Sequence, residues 1–315
     1  RVMDKISKIM GVHKRFSGVV VPMVTPLLED GCPDTVAVGG LMRLFHSHGL
    51  HPLVLGTTGE SPSFSKKSGY EIMSAAAMAK GVGQCLYAGL VGTVVRSLVK
   101  KGNAYLDMGA DAVVATLPPY YTLTPEQMAY FFLVMADSLR GPLLVYNIKA
   151  TTGMSLPLEV IETLSQHPNI LGIKDSERDE VRMMTLIEHC KDKPDFAYFC
   201  GWGAKGAESL LLGADGIVPS TANLVPALYE RLYAAVITGQ EEEAFRFQVL
   251  TDQVATVYQG GLTLGESLAA LKLLMHTQGR CGTVMKPPLT LLPADKARTV
   301  LEAYTALTAS HPEVA

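Results

Sequence analysis

Asn169-Ile-Leu-Gly-Ile-Lys-Asp-Ser176 sets a short apolar run, Ile170, Leu171 and Ile173, directly before a lysine. Such a run reads as a strand buried on both faces, the form that parallel sheets take. A lysine at its end has two fates. It can snorkel to water, or it can enter a pocket that disfavours its charge. In such a pocket the pKa falls, and the neutral amine can attack a carbonyl carbon to form a Schiff base. Taken alone, Lys174 reads as a solvated or ion-paired side chain. The chain on either side weighs for the amine.

Working outward, similar apolar runs predict strands over 19–25, 52–56, 85–90, 112–116 and 143–146 upstream, and over 196–200 and 216–219 downstream. Between and after them, helical spacing appears over 35–49, 66–80, 94–108, 125–139, 158–165, 180–189, 205–212 and 225–238. Thr124 is a ready N-cap, with Pro125 at the first helical position. Eight strands alternating with eight helices have the size and rhythm of an α/β protein of the closed (β/α)₈ (TIM) barrel type. A doubly wound open sheet is the alternative, but eight near-equal units favour closure. Residues 1–16 form a mixed, basic lead-in, a short helix or a loose segment, and 17–238 form the barrel. Residues 239–315 turn purely helical, over 241–258, 264–277 and 294–309, as an extension packed on the same unit.

The 315 residues are 48% hydrophobic, enough to bury a barrel-sized core. A net charge of −3 offers no footprint for nucleic acid or an anionic membrane. Five scattered cysteines without a Cys-x-x-Cys pair suit reduced thiols. No cleavable leader and no apolar run of membrane-spanning length is found, so a cytoplasmic protein is expected.

Barrel enzymes carry their chemistry at the C-terminal ends of the strands. The second strand ends in Gly56-Thr57-Thr58-Gly59-Glu60. Its two glycines permit a tight turn, and the N–H groups and hydroxyls between them suit a carboxylate; the plainer reading is a glycine turn with a solvated Glu60. Pro118-Pro119-Tyr120-Tyr121 follows the fourth strand, Tyr146-Asn147 ends the fifth and Lys174 ends the sixth. Hydroxyls, phenols and an amine thus converge on one mouth.

At this point the chain resembles the dihydrodipicolinate synthase/N-acetylneuraminate lyase family of pyruvate-dependent class I aldolases. The resemblance rests on Gly56–Glu60, Pro119-Tyr120-Tyr121, Tyr146-Asn147 with Thr152-Gly153, Gly172-Ile173-Lys174, Gly213-Ala214-Asp215-Gly216 and Thr221-Ala222-Asn223 in family order. It implies that Lys174 forms the Schiff base with a 2-keto acid and that Tyr146 shuttles protons. It also implies that Thr57 relays protons to Tyr146, and that Tyr121 reaches into a neighbouring subunit to complete the relay. Thr57, Thr58 and Gly59 would bind the substrate carboxylate, and Gly201 and Val218 would line the pyruvate pocket. No cofactor beyond the covalent imine and no metal is implied. The expected assembly is a homotetramer, a dimer of dimers.

Two departures bear on the second substrate. Members that make lysine precursors usually carry an arginine where this chain has Thr151, and Lys149 stands where many have proline. The sialic acid branch usually has an Asp-Glu pair where this chain reads Gly201-Trp202-Gly203-Ala204. The expected activity is therefore cleavage of a 2-keto-3-deoxy sugar acid or similar hydroxy-keto acid, with Lys149, Thr151, Ser176, Trp202 and Lys205 in the distal pocket. The alternatives are 4-hydroxy-tetrahydrodipicolinate synthase, a 2-keto-3-deoxy acid dehydratase, and a keto-acid binder without turnover. Gly201-x-Gly-x-x-Gly206 follows the seventh strand rather than the first, so a dinucleotide carries little weight. His46, His48 and His51 fall at the barrel's stability face and read as surface residues rather than zinc ligands. The 14 methionines read as adaptable core filling.

Overall fold

Each apolar run becomes a parallel strand, and the eight close in chain order into a barrel. The computed structural model describes residues 14–315; the expected lead-in lies outside the described residues up to position 13. The strands are β1 (Gly18–Pro22), β2 (His51–Val54), β3 (Tyr87–Leu90), β4 (Ala112–Thr116), β5 (Leu143–Asn147), β6 (Ile170–Asp175), β7 (Ala197–Cys200) and β8 (Gly216–Ile217). The helices that follow them are α1 (Thr35–Ser47), α2 (Lys66–Ala79), α3 (Val95–Met108), α4 (Pro125–Ser138), α5 (Leu158–Ser165), α6 (Glu180–Lys191), α7 (Gly206–Leu212) and α8 (Pro226–Ile237). The extension is α9 (Glu241–Gln259), α10 (Leu264–Thr277) and α11 (Ala294–Ser310). The expected TIM barrel with a C-terminal helical extension is the observed fold.

The alternation within each strand divides the apolar residues into two cores. Val20, Leu53, Val114, Leu144, Phe199 and Val218 fill the barrel interior. Residues on the opposite faces, among them Val21, Val113, Val145 and Ile173, pack with the helices into a larger outer core. Each fully buried valine, leucine or phenylalanine contributes about 1.5–3 kcal/mol. Local signals set the helix starts. Thr124 and Gln127 form a capping box on α4 with Pro125 in its first turn, and Thr263 and Glu266 do the same for α10.

The barrel closes where β1 pairs with β8, Gly18 beside Gly216 and Val19 beside Ile217. Phe16 belongs to the interior core, with its ring 5.6 Å from that of Tyr87. Lys14 Nζ donates to the carbonyls of Cys190 (2.7 Å) and Phe196 (2.9 Å) and to Asp215 Oδ2 (2.9 Å). The histidines near β2 are committed elsewhere: His48 meets Glu230 at 2.6 Å, and His51 Nδ1 accepts from the Cys85 N–H at 3.0 Å.

Gly89 on β3 lies against the turn that leaves β2, so closely that a Cβ built there falls on the Leu55 carbonyl. Leu55 itself has φ 57, a conformation that costs a non-glycine residue about 1–2 kcal/mol. Gly89→Ala should therefore push the turn away and destabilise the protein by about 1–3 kcal/mol. Urea unfolding of the two proteins side by side measures the difference.

Candidate active site

Ladder register decides which side chains meet inside the barrel. Tyr146 on β5 pairs with Lys174 on β6, which pairs with Phe199 on β7. In-register neighbours of parallel strands point to the same face. Tyr146 and Phe199 belong to the interior core, so Lys174 points inward with them. Lys174 is 6% exposed, and its Nζ stands 3.9 Å from the centre of the Tyr146 ring. This amine is enclosed by the barrel, not snorkelled to water.

Opposing influences act on the Tyr146 phenol. Burial pushes its pKa up. The adjacent Lys174 charge, with the polar side chains of Ser176, Lys174 and Thr57, more than offsets burial and holds the phenol below the ordinary tyrosine range. A phenol made more acidic beside an amine and hydroxyl side chains is equipped to pass protons. Leu53, Gly56, Thr57, Gly89, Val114, Thr116 and Tyr146 line a small cavity beside it.

The turn after β2 supplies Thr57. Its backbone bonds run from Glu60 N to the Thr57 carbonyl (3.1 Å) and from Ser61 N to the Gly56 carbonyl (3.2 Å). The N–H groups of Thr57 and Thr58 take no part in those bonds, as a carboxylate cradle requires. Thr58 and Gly59 are buried, and the Gly59 carbonyl accepts from Thr25 Oγ1 at 2.7 Å. Glu60 is not solvated. Its side chain is 0% exposed, and its carboxylate accepts from Lys272 Nζ at 2.6 Å and from the Lys286 N–H at 2.8 Å.

With the geometry in view, comparison with known proteins assigns the chain. The sequence model of the Dihydrodipicolinate synthetase family matches residues 15–307. The chain belongs to this family. It is 29% identical over 289 residues to a 4-hydroxy-tetrahydrodipicolinate synthase of Alkalilimnicola ehrlichii, covering 91% of this chain and 97% of that one. The dihydrodipicolinate synthase of Bacteroides thetaiotaomicron superposes with a TM-score of 0.86 at 30% identity, over 93% of this chain and 99% of that one. The chloride-inhibited dihydrodipicolinate synthase of Acinetobacter baumannii, solved with pyruvate, superposes with a TM-score of 0.84 at 26% identity, over 92% and 98%. As a family member the chain is a class I pyruvate-dependent aldolase or lyase.

The other residues singled out in the sequence fall into two groups. Val218 is buried in the barrel interior, and Gly201 lies so close to Ser176 that a side chain there would overlap the serine hydroxyl. Ser176, expected in the distal pocket, is among the side chains that lower the pKa of the Tyr146 phenol. Farther out, Lys149 and Thr151 are exposed on a single helical turn, Lys149–Thr152, with Thr151 Oγ1 turned to the Ile148 carbonyl at 3.3 Å. Lys149 Nζ is 4.0 Å from Glu177 Oε1. Trp202 packs against the outer core under Lys205, whose amine is held by Glu180 (2.7 Å) and Glu208 (2.6 Å). Tyr121 is 73% exposed and stands edge-on to Tyr120, which has φ 95.

Sequence reasoning missed a charged network behind the lysine. Asp175, next on β6 and so facing outward, accepts from Arg182 Nε (2.7 Å) and Asn147 Nδ2 (3.3 Å). Glu177 Oε2 accepts from Asn147 Nδ2 (2.9 Å) and Ser155 Oγ (2.5 Å). Arg182 also donates to the Leu156 carbonyl at 2.7 Å. The Asn147–Asp175 ladder pair, one place beyond Tyr146–Lys174, brings these side chains together, a register that only the structure shows.

Burial pushes the Asp175 carboxyl above its usual range, against the pull of Arg182 and the hydrogen bonds from Glu177, Arg182 and Asn147. With the folded pKa raised, Asp175's favourable contribution is complete below the unfolded value and is lost as pH rises through the folded one. Arg182→Met removes the opposing charge and raises that pKa further. The variant should lose about 3 kcal/mol at pH 7.5 and clearly less at pH 5, read from urea unfolding at both pH values.

Proposed function

We propose that this protein cleaves a 2-keto-3-deoxy sugar acid or a similar hydroxy-keto acid to pyruvate and an aldehyde, through a Schiff base on Lys174. The observation that carries the reading is the enclosed Lys174 amine 3.9 Å over the Tyr146 ring, at the strand ends of a barrel. The amine attacks the keto carbon, water leaves, and a protonated imine results. Electrons of the breaking C–C bond move into that imine to give an enamine, while the substrate hydroxyl that becomes the aldehyde gives up its proton. Tyr146 is the group in reach to move protons, with Thr57 beside it on the wall of the same cavity. Protonation of the enamine carbon and addition of water return pyruvate and the free lysine.

The carboxylate end of the substrate is assigned to Thr57, Thr58 and Gly59, with Gly201 and Val218 along the pocket wall. The distal end falls to Lys149, Thr151 and Trp202. The absence of a guanidinium at 151 favours hydroxyl-rich substrates over a second carboxylate, because a bidentate arginine has no equal there. Condensation of pyruvate with aspartate semialdehyde, the reaction class named for several relatives, is the second reading, and Lys149 supplies the one exposed cation of that turn.

Tyr121, outward and beside a backbone residue of positive φ, is assigned to the site of a neighbouring copy within a homotetramer. Backbone strain of this kind, about 1–3 kcal/mol, persists where surroundings hold it in place. All five cysteines are unpaired, and no helix among the described residues is long and apolar enough to cross a membrane, which supports a cytoplasmic protein.

Borohydride added with pyruvate should fix a stable adduct on the peptide that contains Lys174, and Lys174→Arg should abolish it. A label on another residue, or on none, ends the reading. Tyr146→Phe should lower kcat by about 10²–10⁴-fold. Assays of 2-keto-3-deoxy acid cleavage and of aspartate semialdehyde condensation, run on the same preparation, separate the two substrates.

A further inference from the structure

Glu60 and Lys272 form an ion pair that the reaction does not use and that water does not reach. Their side chains are 0% and 1% exposed, and they stand 2.6 Å apart. Every polar atom of the pair is engaged. Glu60 Oε1 accepts from the Lys286 N–H, Oε2 accepts from Lys272 Nζ, and the same Nζ donates to the Val284 carbonyl at 2.8 Å. Burial pulls the Lys272 amine down, and Glu60 opposes it.

Stability alone is a poor reason for such a pair. Desolvating two charges costs several kcal/mol per ion, and apolar replacements of similar volume are often as stable or more so. What the pair does hold is a strained turn. Glu60 has φ 59 and Leu55 has φ 57, so both ends of the segment that carries Thr57 and Thr58 sit in the left-handed region without glycine. Glu60 N closes that segment on the Thr57 carbonyl. Strain of this kind survives only where outside contacts fix it. Those contacts come from α10 and from the irregular stretch at Val284–Lys286, both in the extension.

We propose that Lys272 is a positioning residue for catalysis: reaching from the extension, it pins Glu60 and thereby sets the Thr57 hydroxyl against Tyr146. The inference rests on the reading of Thr57 as the proton partner of Tyr146. Lys272 touches no substrate and acts through the turn.

The test is a double-mutant cycle on the full chain, with kcat, KM and the rate of borohydride-trapped imine formation with pyruvate as readouts. Lys272→Met, folded by circular dichroism, should lose about 10–100-fold in kcat/KM and in trapping rate. In a Thr57→Val background the same substitution should add little, because its effect passes through that hydroxyl. Wild-type rates in Lys272→Met, or an equal fold-loss in both backgrounds, overturn the proposal. Where Lys272→Met does not fold, Glu60→Gln with Lys272→Met leaves no unpaired buried charge and is judged by the same outcomes. Wild-type protein that traps no pyruvate defeats the functional reading itself, a result distinct from either.

Discussion

Lys174 and Tyr146 occupy matched positions on adjacent strands of a closed ladder, and that closure is the constraint on which the site depends. In an open sheet a strand-end lysine can swing to solvent. Here Tyr146 on one side and Phe199 on the other share its layer, and the interior core beneath leaves the amine no exit except the mouth. Phenol and amine therefore meet without help from a flexible loop. Preorganisation of this kind is what proton transfer between two side chains requires.

The extension stands at the same end of the barrel and fastens the loops around the mouth. Gln248 on α9 accepts from Ala207 N (2.9 Å) and donates to the Gly203 carbonyl (2.9 Å), which fixes the turn after β7. Tyr258, also on α9, bonds Ser220 (2.6 Å) and Thr221 (2.9 Å) after β8. Arg280 donates to the carbonyls of Asn223 and Leu224. With Lys272 under Glu60, three catalytic-face turns rest on buried polar side chains from one helical unit. This is the pattern expected where outer residues orient the groups that do the chemistry.

Most strand and helix positions were legible because apolar runs, glycine turns and caps are local signals. The differences have local causes as well. The predicted first strand overran because beyond Pro22 the chain is held largely by side chains, Val24 N by Asn223 Oδ1 and Thr25 by the Gly59 carbonyl. The second ended early because Leu55 turns left-handed, and the eighth because Pro219 has no N–H to continue the ladder. The convergence of Lys174, Tyr146 and Thr57 was readable from strand ends alone. Glu60 was not, since its partners lie 212 and 226 residues away and no local pattern distinguishes a buried carboxylate from a solvated one. Asp175 was hidden by its neighbour, for a residue beside an inward lysine faces the helices and is judged only once Arg182 is seen to reach it.

The seam between β1 and β8 also shapes how the chain must acquire its form. Its ladder is short, and the bonds that flank it, Lys14 to Asp215 and Asn223 to Pro22, each join residues 201 apart. Such closures carry a high entropic toll and come late. During synthesis the first strand therefore waits with an unpaired edge until the eighth has left the ribosome. For that interval the nascent barrel is an open sheet, with the same edge that invites self-association in unfinished β structures.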